Sequence, residues 1–493
     1  MSWIPFRRCG PMKSLKIIGK NLGAILFLVG IISLAPVFVS AWFGEFGSIL
    51  PFIITSLVFL STGLVLNHSL KTNEEQVELK HAMIIAALGW LLIPLISTIP
   101  FVLIEGFDFI SAFFEGMSGW TSTGLTMVES EVHITHGIQL WRSVMQWIGG
   151  IGVIVLVLAV LTRPGTGAFM LYKSEARDEK ILPSITSTVK RIWWIFMLYT
   201  FAGAVIYWAA GMPGWEAINH AMTAMATGGF TVVDGSIGAY GSPVIDLITI
   251  VLMMFGAIAF VSHHKLLRGK VKEFFDDVQT KSLLFVVVCG IFILTLINLA
   301  RYTEIVESFR YSAFQFVSAA TTTGFHTVEL EVWEPSSKLL LSVAMLIGGA
   351  AGSTAGGIKI IRGTLLFKKI KWELMEIFAP KRGMFSRDIG GKMLSKEDAA
   401  DEVSEASVIL ILWLIFLAAG IIVVSTTTSS GLEDSVLEVS SAQGNSGLST
   451  GIVDIGMNPV AKFMLIMNMW VGRLEIIPVL VLLRYLFFGN SSP

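Results

Sequence analysis

Four short stretches decide the fold: Thr121-Ser122-Thr123-Gly124-Leu125, Met225-Ala226-Thr227-Gly228-Gly229-Phe230, Thr321-Thr322-Thr323-Gly324-Phe325 and Gly444-Asn445-Ser446-Gly447-Leu448-Ser449. Each is a run of small residues closing on glycine, and Gly124, Gly228, Gly324 and Gly447 lie 104, 96 and 123 residues apart. Upstream of each is a segment (107–123, 214–227, 308–323, 434–446) too apolar for a solvent loop and too short to span a membrane. Crossing takes about 20 residues, whereas a helix of about 13 reaches only about 20 Å. Helices of that length fit as re-entrant elements, tolerated where protein shields the backbone or an aqueous cavity receives it.

Runs long enough to span occur near 22–43, 48–67, 82–104, 138–161, 191–211, 243–262, 282–300, 338–362, 404–426 and 459–488. Span, half-helix, glycine turn and span therefore recur four times, with the first two spans outside the repeat. The expected fold is an all-α integral membrane protein: four membrane–pore–membrane repeats around a pseudo-fourfold pore, plus two extra N-terminal transmembrane helices. The expected divisions are 1–75 for the two-helix segment, then 76–165, 185–270, 278–372 (its second helix broken) and 400–490 for the repeats. Composition agrees: 54% of residues are hydrophobic and 14% charged, against about 25% charged in a soluble domain. Cys9 and Cys289 are too far apart in sequence to suggest a disulfide framework or a zinc site. The run 22–42 exceeds the roughly 7–15 apolar residues of a signal peptide and is read as a retained helix.

Charge supplies the orientation. The re-entrant sides (105–136, 213–246, 301–337, 428–459) hold 17 acids and two basic residues, Arg301 and Arg310. The opposite loops hold 28 basic residues and 17 acids. By the positive-inside rule the turns open outward and both termini lie in the cytoplasm, in a cytoplasmic (inner) membrane. The loop 68–81 is the one local exception, and 381–402 reads as a solvated cytoplasmic linker.

Four glycine turns at the ends of four half-helices suit one task. A dehydrated potassium ion needs oxygens in place of its hydration shell. Successive carbonyls can face one axis only with unusual dihedrals, which glycine adopts freely. Thr123, Thr227, Thr323 and Ser446 add hydroxyls without charge, with Ser122, Ala226, Thr322 and Asn445 beside them. Each half-helix aims its negative end at the cavity, and the outer acids concentrate cations.

These motifs resemble the TrkH/KtrB/HKT superfamily of potassium uptake proteins, the TrkH branch most, because of the two extra N-terminal spans. Gly348-Gly349-Ala350-Ala351-Gly352-Ser353-Thr354-Ala355-Gly356-Gly357-Ile358-Lys359 is similar to its third-repeat glycine-rich stretch, Phe260-Val261-Ser262-His263-His264-Lys265 to the close of its second repeat, and Gly472-Arg473-Leu474-Glu475 to its last span. The resemblance implies filter glycines at Gly124, Gly228, Gly324 and Gly447. Relatives with Ser at the first tend to pass sodium, so Gly124 argues for potassium. The fourth turn departs from the Thr-Gly form.

Glycine costs about 1 kcal/mol per residue in a helix, so the stretch with Gly348, Gly349, Gly352, Ser353, Thr354, Gly356 and Gly357 breaks its span. The alternative is a small-residue packing face. The resemblance implies a gate loop beneath the filter. Arg473 and Glu475 lie in an apolar span, where a charge costs at least about 3 kcal/mol. Either they form a structural pair, or Arg473 sets the electrostatics of the pore below the filter. Glu475 then pairs with Arg473 or with the third-repeat helix.

His133 and His136 lack a third metal ligand, and His326 follows the third turn. A potential of 100 mV gives about 2.3 kcal/mol per charge, enough for roughly 40–50-fold accumulation without coupling. A proton- or sodium-coupled potassium symporter remains the alternative. An inverted-repeat transporter conflicts with four units of one orientation, and no HExxH, GxSxG or intramembrane aspartate pair suggests an enzyme. No cofactor is expected and potassium is the substrate. The resemblance implies a homodimer docked on a cytoplasmic TrkA-like nucleotide-binding subunit.

Overall fold

The computed structural model describes residues 11–70, 77–152, 184–302, 304–378, 387–389 and 392–489. The expected junctions near 75 and 165, the end of the 138–161 span and most of the 162–191 loop lie outside these. The described part is mostly helical, and six of its helices are long and apolar enough to cross a membrane. Exposed Phe201, Trp208, Phe285 and Phe292 stud their outer faces, as lipid contact requires.

Helices Phe109–Thr121, Gly214–Met225, Ile305–Ala320 and Leu432–Gly444 occupy the four short apolar segments. Each is followed by its glycine turn, a loop, and an outgoing helix: His136–Ile151, Pro243–Ala257, Pro335–Ile347 and Pro459–Arg473. Caps fix three of these starts. The Thr135 and Ser242 side chains and the Asn458 amide oxygen accept from the first turns they precede.

The sequence led to one broken span, the third. The structure breaks the helices that follow the second, third and fourth glycine turns. Pro243–Ala257 turns through 110° into Phe260–Leu267, and Pro459–Arg473 through 109° into Ile477–Phe488. The first outgoing helix ends at Ile151 on Gly152, at φ 95°. Packing explains the depth of these ends. A Cβ on Gly149, Gly256 or Gly472 would run into the Trp120, Met225 or Gln443 carbonyl, in the last turn of the short helix before the preceding glycine turn.

The segment 381–402 is not wholly a linker. Residues 387–389 and 392–394 pair as a small antiparallel hairpin, the sole sheet among the described residues. The following helix starts at Lys396, ahead of the expected 404, because Ser395 caps it and Glu397 and Asp398 suit its first turn. Ala399 and Ala406 of that helix pack on Leu365 and Trp372 of the helix Ile360–Phe378.

The N-terminal helices Pro11–Ile32 and Phe46–Ser69 cross closely at Gly23 and Gly63, where an added Cβ would reach the partner's backbone. Between them Glu45 receives the backbone N–H of His136 at 2.8 Å and of Gly137 at 3.2 Å, and its carboxylate meets the His136 ring at 2.7 Å. That carboxylate sits at the positive end of the first outgoing helix.

Candidate functional site

The four turns share one hydrogen-bond register. The N–H groups of Thr123, Gly228, Thr323 and Ser446 donate to the carbonyls of Ser118, Thr223, Ser318 and Ser441 at 2.8–2.9 Å. The residues just before them, Ser122, Thr227, Thr322 and Asn445, all adopt left-handed backbone, with φ between 49° and 58°. The residues just after them, Gly124, Gly229, Gly324 and Gly447, have φ from 78° to 99°.

This register corrects the second turn by one residue. Its counterpart of Gly124 is Gly229, while Gly228 stands where the other turns carry Thr or Ser, Thr227 matches Ser122, and Ala226 matches Thr121. The misreading came from Thr-Gly-Gly, which offers two glycines to one pattern.

The turns touch in cyclic order. A Cβ on Gly124 would overlap the Gly228 carbonyl oxygen, one on Gly229 that of Thr323, one on Gly324 that of Ser446, and one on Gly447 that of Thr123. Outside this ring a cavity of about 330 Å³ is lined by the same four glycines and by Glu129, Glu131, Glu329 and His326.

The fourth turn's departure has a local cause. The Asn445 amide donates to the Thr123 hydroxyl and to the Met469 carbonyl, both at 3.0 Å. Asparagine also tolerates the left-handed conformation required there. Thr123 and Thr323 pair with the hydroxyls of Thr121 and Thr321 at 2.7 and 2.8 Å; in the fourth turn Gly444 occupies that place.

The stretch from Gly348 to Gly357 is a non-helical loop on the inner side of the turns. Thr354 is buried, its hydroxyl 2.8 Å from the Gly256 carbonyl and 3.0 Å from that of Met225, and it accepts from Thr227 at 3.2 Å. The Gly356 N–H donates to the Thr322 hydroxyl at 2.7 Å, and a Cβ on Gly356 would strike the Gly444 carbonyl. Gly352 accepts from Phe260 at 3.1 Å, and Ala350 donates to Ala257 at 2.9 Å. Ser353 turns back onto the Ala350 carbonyl at 2.6 Å. Gly348 and Gly357 pack backbone to backbone, and Gly349 rests on Ala257. The packing-face alternative fails, because the segment forms no helix.

Arg473 closes this layer. Its guanidinium donates to the carbonyls of Gly149, Gly150 (2.8 Å) and Thr354 (3.3 Å) and lies 5.1 Å from the Trp90 ring centroid. Glu475 pairs with Arg362 of the third repeat at 2.5 Å. Seven of the eight non-glycine residues with positive φ among the described ones belong to these features: four in the turns, Lys359 after the loop, and Glu475 and Ile476 at the last bend. Backbone strain of this sort gathers at working sites.

A family model described as TrkH, a cation transport protein, matches residues 49–487. The chain belongs to the TrkH family. It is 38% identical over 474 residues to an uncharacterised cation transporter of Methanocaldococcus jannaschii, covering 95% of each chain. It is 32% identical over 451 residues to the Trk system potassium uptake protein TrkH of Salmonella typhimurium, covering 88% of this chain and 91% of that one. The crystal structure of the potassium transporter TrkH from Vibrio parahaemolyticus superposes with a TM-score of 0.83 at 29% identity, over 96% of this chain and 99% of that one.

Several residues of this TrkH-family chain escaped the sequence reading. Nine positions before each turn glycine lie Glu115, His220, Gln315 and Glu438, every one a buried polar residue behind the turn. The spacing was legible, but only in the corrected register. Glu115 meets Arg142 at 2.8 Å with both side chains almost wholly buried. Arg142 also donates to the Thr231 carbonyl and the Thr126 hydroxyl, both at 3.0 Å, and its guanidinium lies 4.1 Å from the Phe230 ring centroid.

A second set joins the start of each outgoing helix to the next re-entrant helix. Gln139 accepts from Trp215 at 2.6 Å, Asp246 pairs with Arg310 at 2.7 Å, and Lys338 with Asp434 at 2.6 Å. Lys462 returns to the first repeat, 2.7 Å from the Ser111 hydroxyl and 3.9 Å from the Asp108 carboxylate. All four holders lie four residues after the helix caps Thr135, Ser242, Glu334 and Asn458. In the loop outside the first turn, burial chiefly pushes the Glu131 carboxyl up to about 7, Asp234 adding to the rise and Arg142 opposing it.

Proposed function

We propose that this chain takes up potassium across the cytoplasmic membrane through a channel-like pore built from four membrane–pore–membrane repeats about a pseudo-fourfold axis. The observation that carries the reading is the cyclic abutment of the four turns, each glycine against the carbonyl of the next. The filter is Thr123-Gly124, Gly228-Gly229, Thr323-Gly324 and Ser446-Gly447, with Ser122, Thr227, Thr322 and Asn445 beneath. Carbonyls held by strained but mutually buttressed backbone replace the hydration shell of one ion size. The membrane potential drives entry. The potassium in the names of the Salmonella and Vibrio relatives agrees with this cargo.

The loop Gly348–Gly357 is the gate, in its closed position. It bonds to the second and third turns and abuts the carbonyl just before the fourth, while Arg473 joins it to the first repeat. Its continuation, Ile360–Phe378, runs toward the cytoplasmic side and carries Arg362, the partner of Glu475. A TrkA-like nucleotide-binding subunit on that side of a homodimer, pulling on this helix, would break the pair and withdraw the loop. Both termini are cytoplasmic by the charge rule.

The test is cation flux into proteoliposomes under an imposed potential, wild type beside Gly124→Ser. Potassium and rubidium should pass and sodium be disfavoured, with the substitution eroding that preference. Flux that ignores the potential, or that needs a second solute, would replace this mechanism with coupled transport.

A further inference from the structure

The second turn lacks something the others have. At the residue before the ring glycine they carry Thr123, Thr323 and Ser446, but the second carries Gly228. The backbone there does not demand glycine, since Gly228 is not among the residues with positive φ. The space is already taken. A Cβ on Gly228 would stand 2.5 Å from both Cδ and Oε1 of Gln146 and 2.8 Å from the Ser122 hydroxyl, all side-chain atoms of the first repeat.

Gln146 lies on the outgoing helix of the first repeat, is fully buried, and bonds the second turn with both ends of its carboxamide. Its Nε2 donates to the Gly228 carbonyl at 2.6 Å, and its Oε1 accepts from the Phe230 N–H at 2.9 Å. These two contacts bracket Gly229. The Gly228 carbonyl is also the one against which Gly124 abuts. One side chain from the first repeat therefore fixes the second quarter of the ring.

We propose that Gln146 is a positioning residue for ion selection: its carboxamide stands in for the side chain missing at Gly228, and the cation preference of the pore depends on it. The inference rests on the filter reading given above. A carboxamide suits the place because it is neutral and offers a donor and an acceptor about 2 Å apart in a fixed plane. An aliphatic side chain would hold the volume and release both backbone atoms.

Permeability ratios of potassium, rubidium and sodium would be measured in proteoliposomes for Gln146→Ala, Gln146→Met, Gly228→Ser and the double variant Gln146→Ala/Gly228→Ser, with Gly124→Ser as control. Gln146→Ala and Gln146→Met should each lower the potassium-to-sodium ratio at least about fivefold. Gly228→Ser alone should lower flux, because the new side chain collides with Gln146. The double variant, which gives the second turn an in-chain hydroxyl like the other three, should return the ratio to within about twofold of wild type. The proposal is overturned if both Gln146 variants keep the wild-type ratio, if they lower all fluxes equally, or if the double variant fails to recover selectivity. A Gly124→Ser control that also leaves the ratio unchanged would indict the filter reading itself.

Discussion

Replacing Thr354 with valine should open the pore in the absence of any cytoplasmic subunit. Valine keeps the shape of threonine and removes only the hydroxyl, which sits 2.8 Å from the Gly256 carbonyl and 3.0 Å from that of Met225. One hydroxyl proton serves one of these at a time, so a single bond is lost. The Gly256 carbonyl keeps the Thr354 N–H at 3.1 Å, and the Thr227 hydroxyl keeps the Ala226 carbonyl at 2.7 Å. The buried Met225 carbonyl loses its donor, so the loss is at least that of an ordinary internal hydrogen bond, about 1 kcal/mol. If the open loop forgoes these contacts, the closed state alone is weakened and the open-to-closed ratio rises at least about fivefold. The assay is potassium flux into proteoliposomes holding equal amounts of wild-type and variant protein. Flux equal to or below wild type, from protein with unchanged thermal stability, would refute the reasoning that this loop is a closed gate held by Thr354.

Other expectations follow from the buried charges. Arg142→Met leaves Glu115 buried without its cation, a loss of about 3–5 kcal/mol, so the yield of folded protein and its thermal midpoint should collapse; Arg142→Met/Glu115→Gln should recover both. Lys338→Met breaks the tie to Asp434, and since Asp434 is partly exposed the cost should be smaller, about 1–3 kcal/mol. Thermal unfolding would read it, and the swap Lys338→Asp/Asp434→Lys should regain part of it. The Glu131 carboxyl, raised to about 7, is ionised above that pH and neutral below it. One charge about 10 Å from a cation in a solvated mouth is worth about 0.4 kcal/mol. Influx at low potassium should therefore fall about twofold as the outside pH drops from 8 to 6, and a slope that survives in Glu131→Gln would refute this.

The re-entrant helices could be read from the chain because their length and apolarity conflict with both a loop and a span. The four turns were legible for a similar reason: glycine after small polar residues is common singly, as at Ser61-Thr62-Gly63, but four such runs behind half-helices are hard to assemble by chance. The register of the second was not, since nothing local in the sequence separates Gly228 from Gly229, and the side chain that fills the space beside Gly228, Gln146, comes from far away in the chain. The bend after Ala257 was hidden because the apolar run continues through it, and Arg473 and Glu475, the charges that mark the other bend, were weighed for their electrostatics alone. Lys338 passed unnoticed because it opens an apolar run, and Lys462 because it sits one helical turn inside another, where a single charge hardly alters the average. Their partners, Asp434 and Asp108, were counted only as members of an acidic outer surface.

The ring of turns has a consequence for mutation. Each glycine meets a main-chain oxygen, an atom every residue supplies, so that contact does not itself dictate which side chains Thr123, Gly228, Thr323 and Ser446 carry. The glycines that face those oxygens have no such latitude. Four copies of a unit in one chain would ordinarily mean redundancy, with three sound copies covering for a damaged fourth. On the proposed pore reading, a defect at any one glycine pushes on the adjoining quarter and narrows the passage all four share. The duplicated units can drift apart in nearly every side chain, yet none of them serves as a spare.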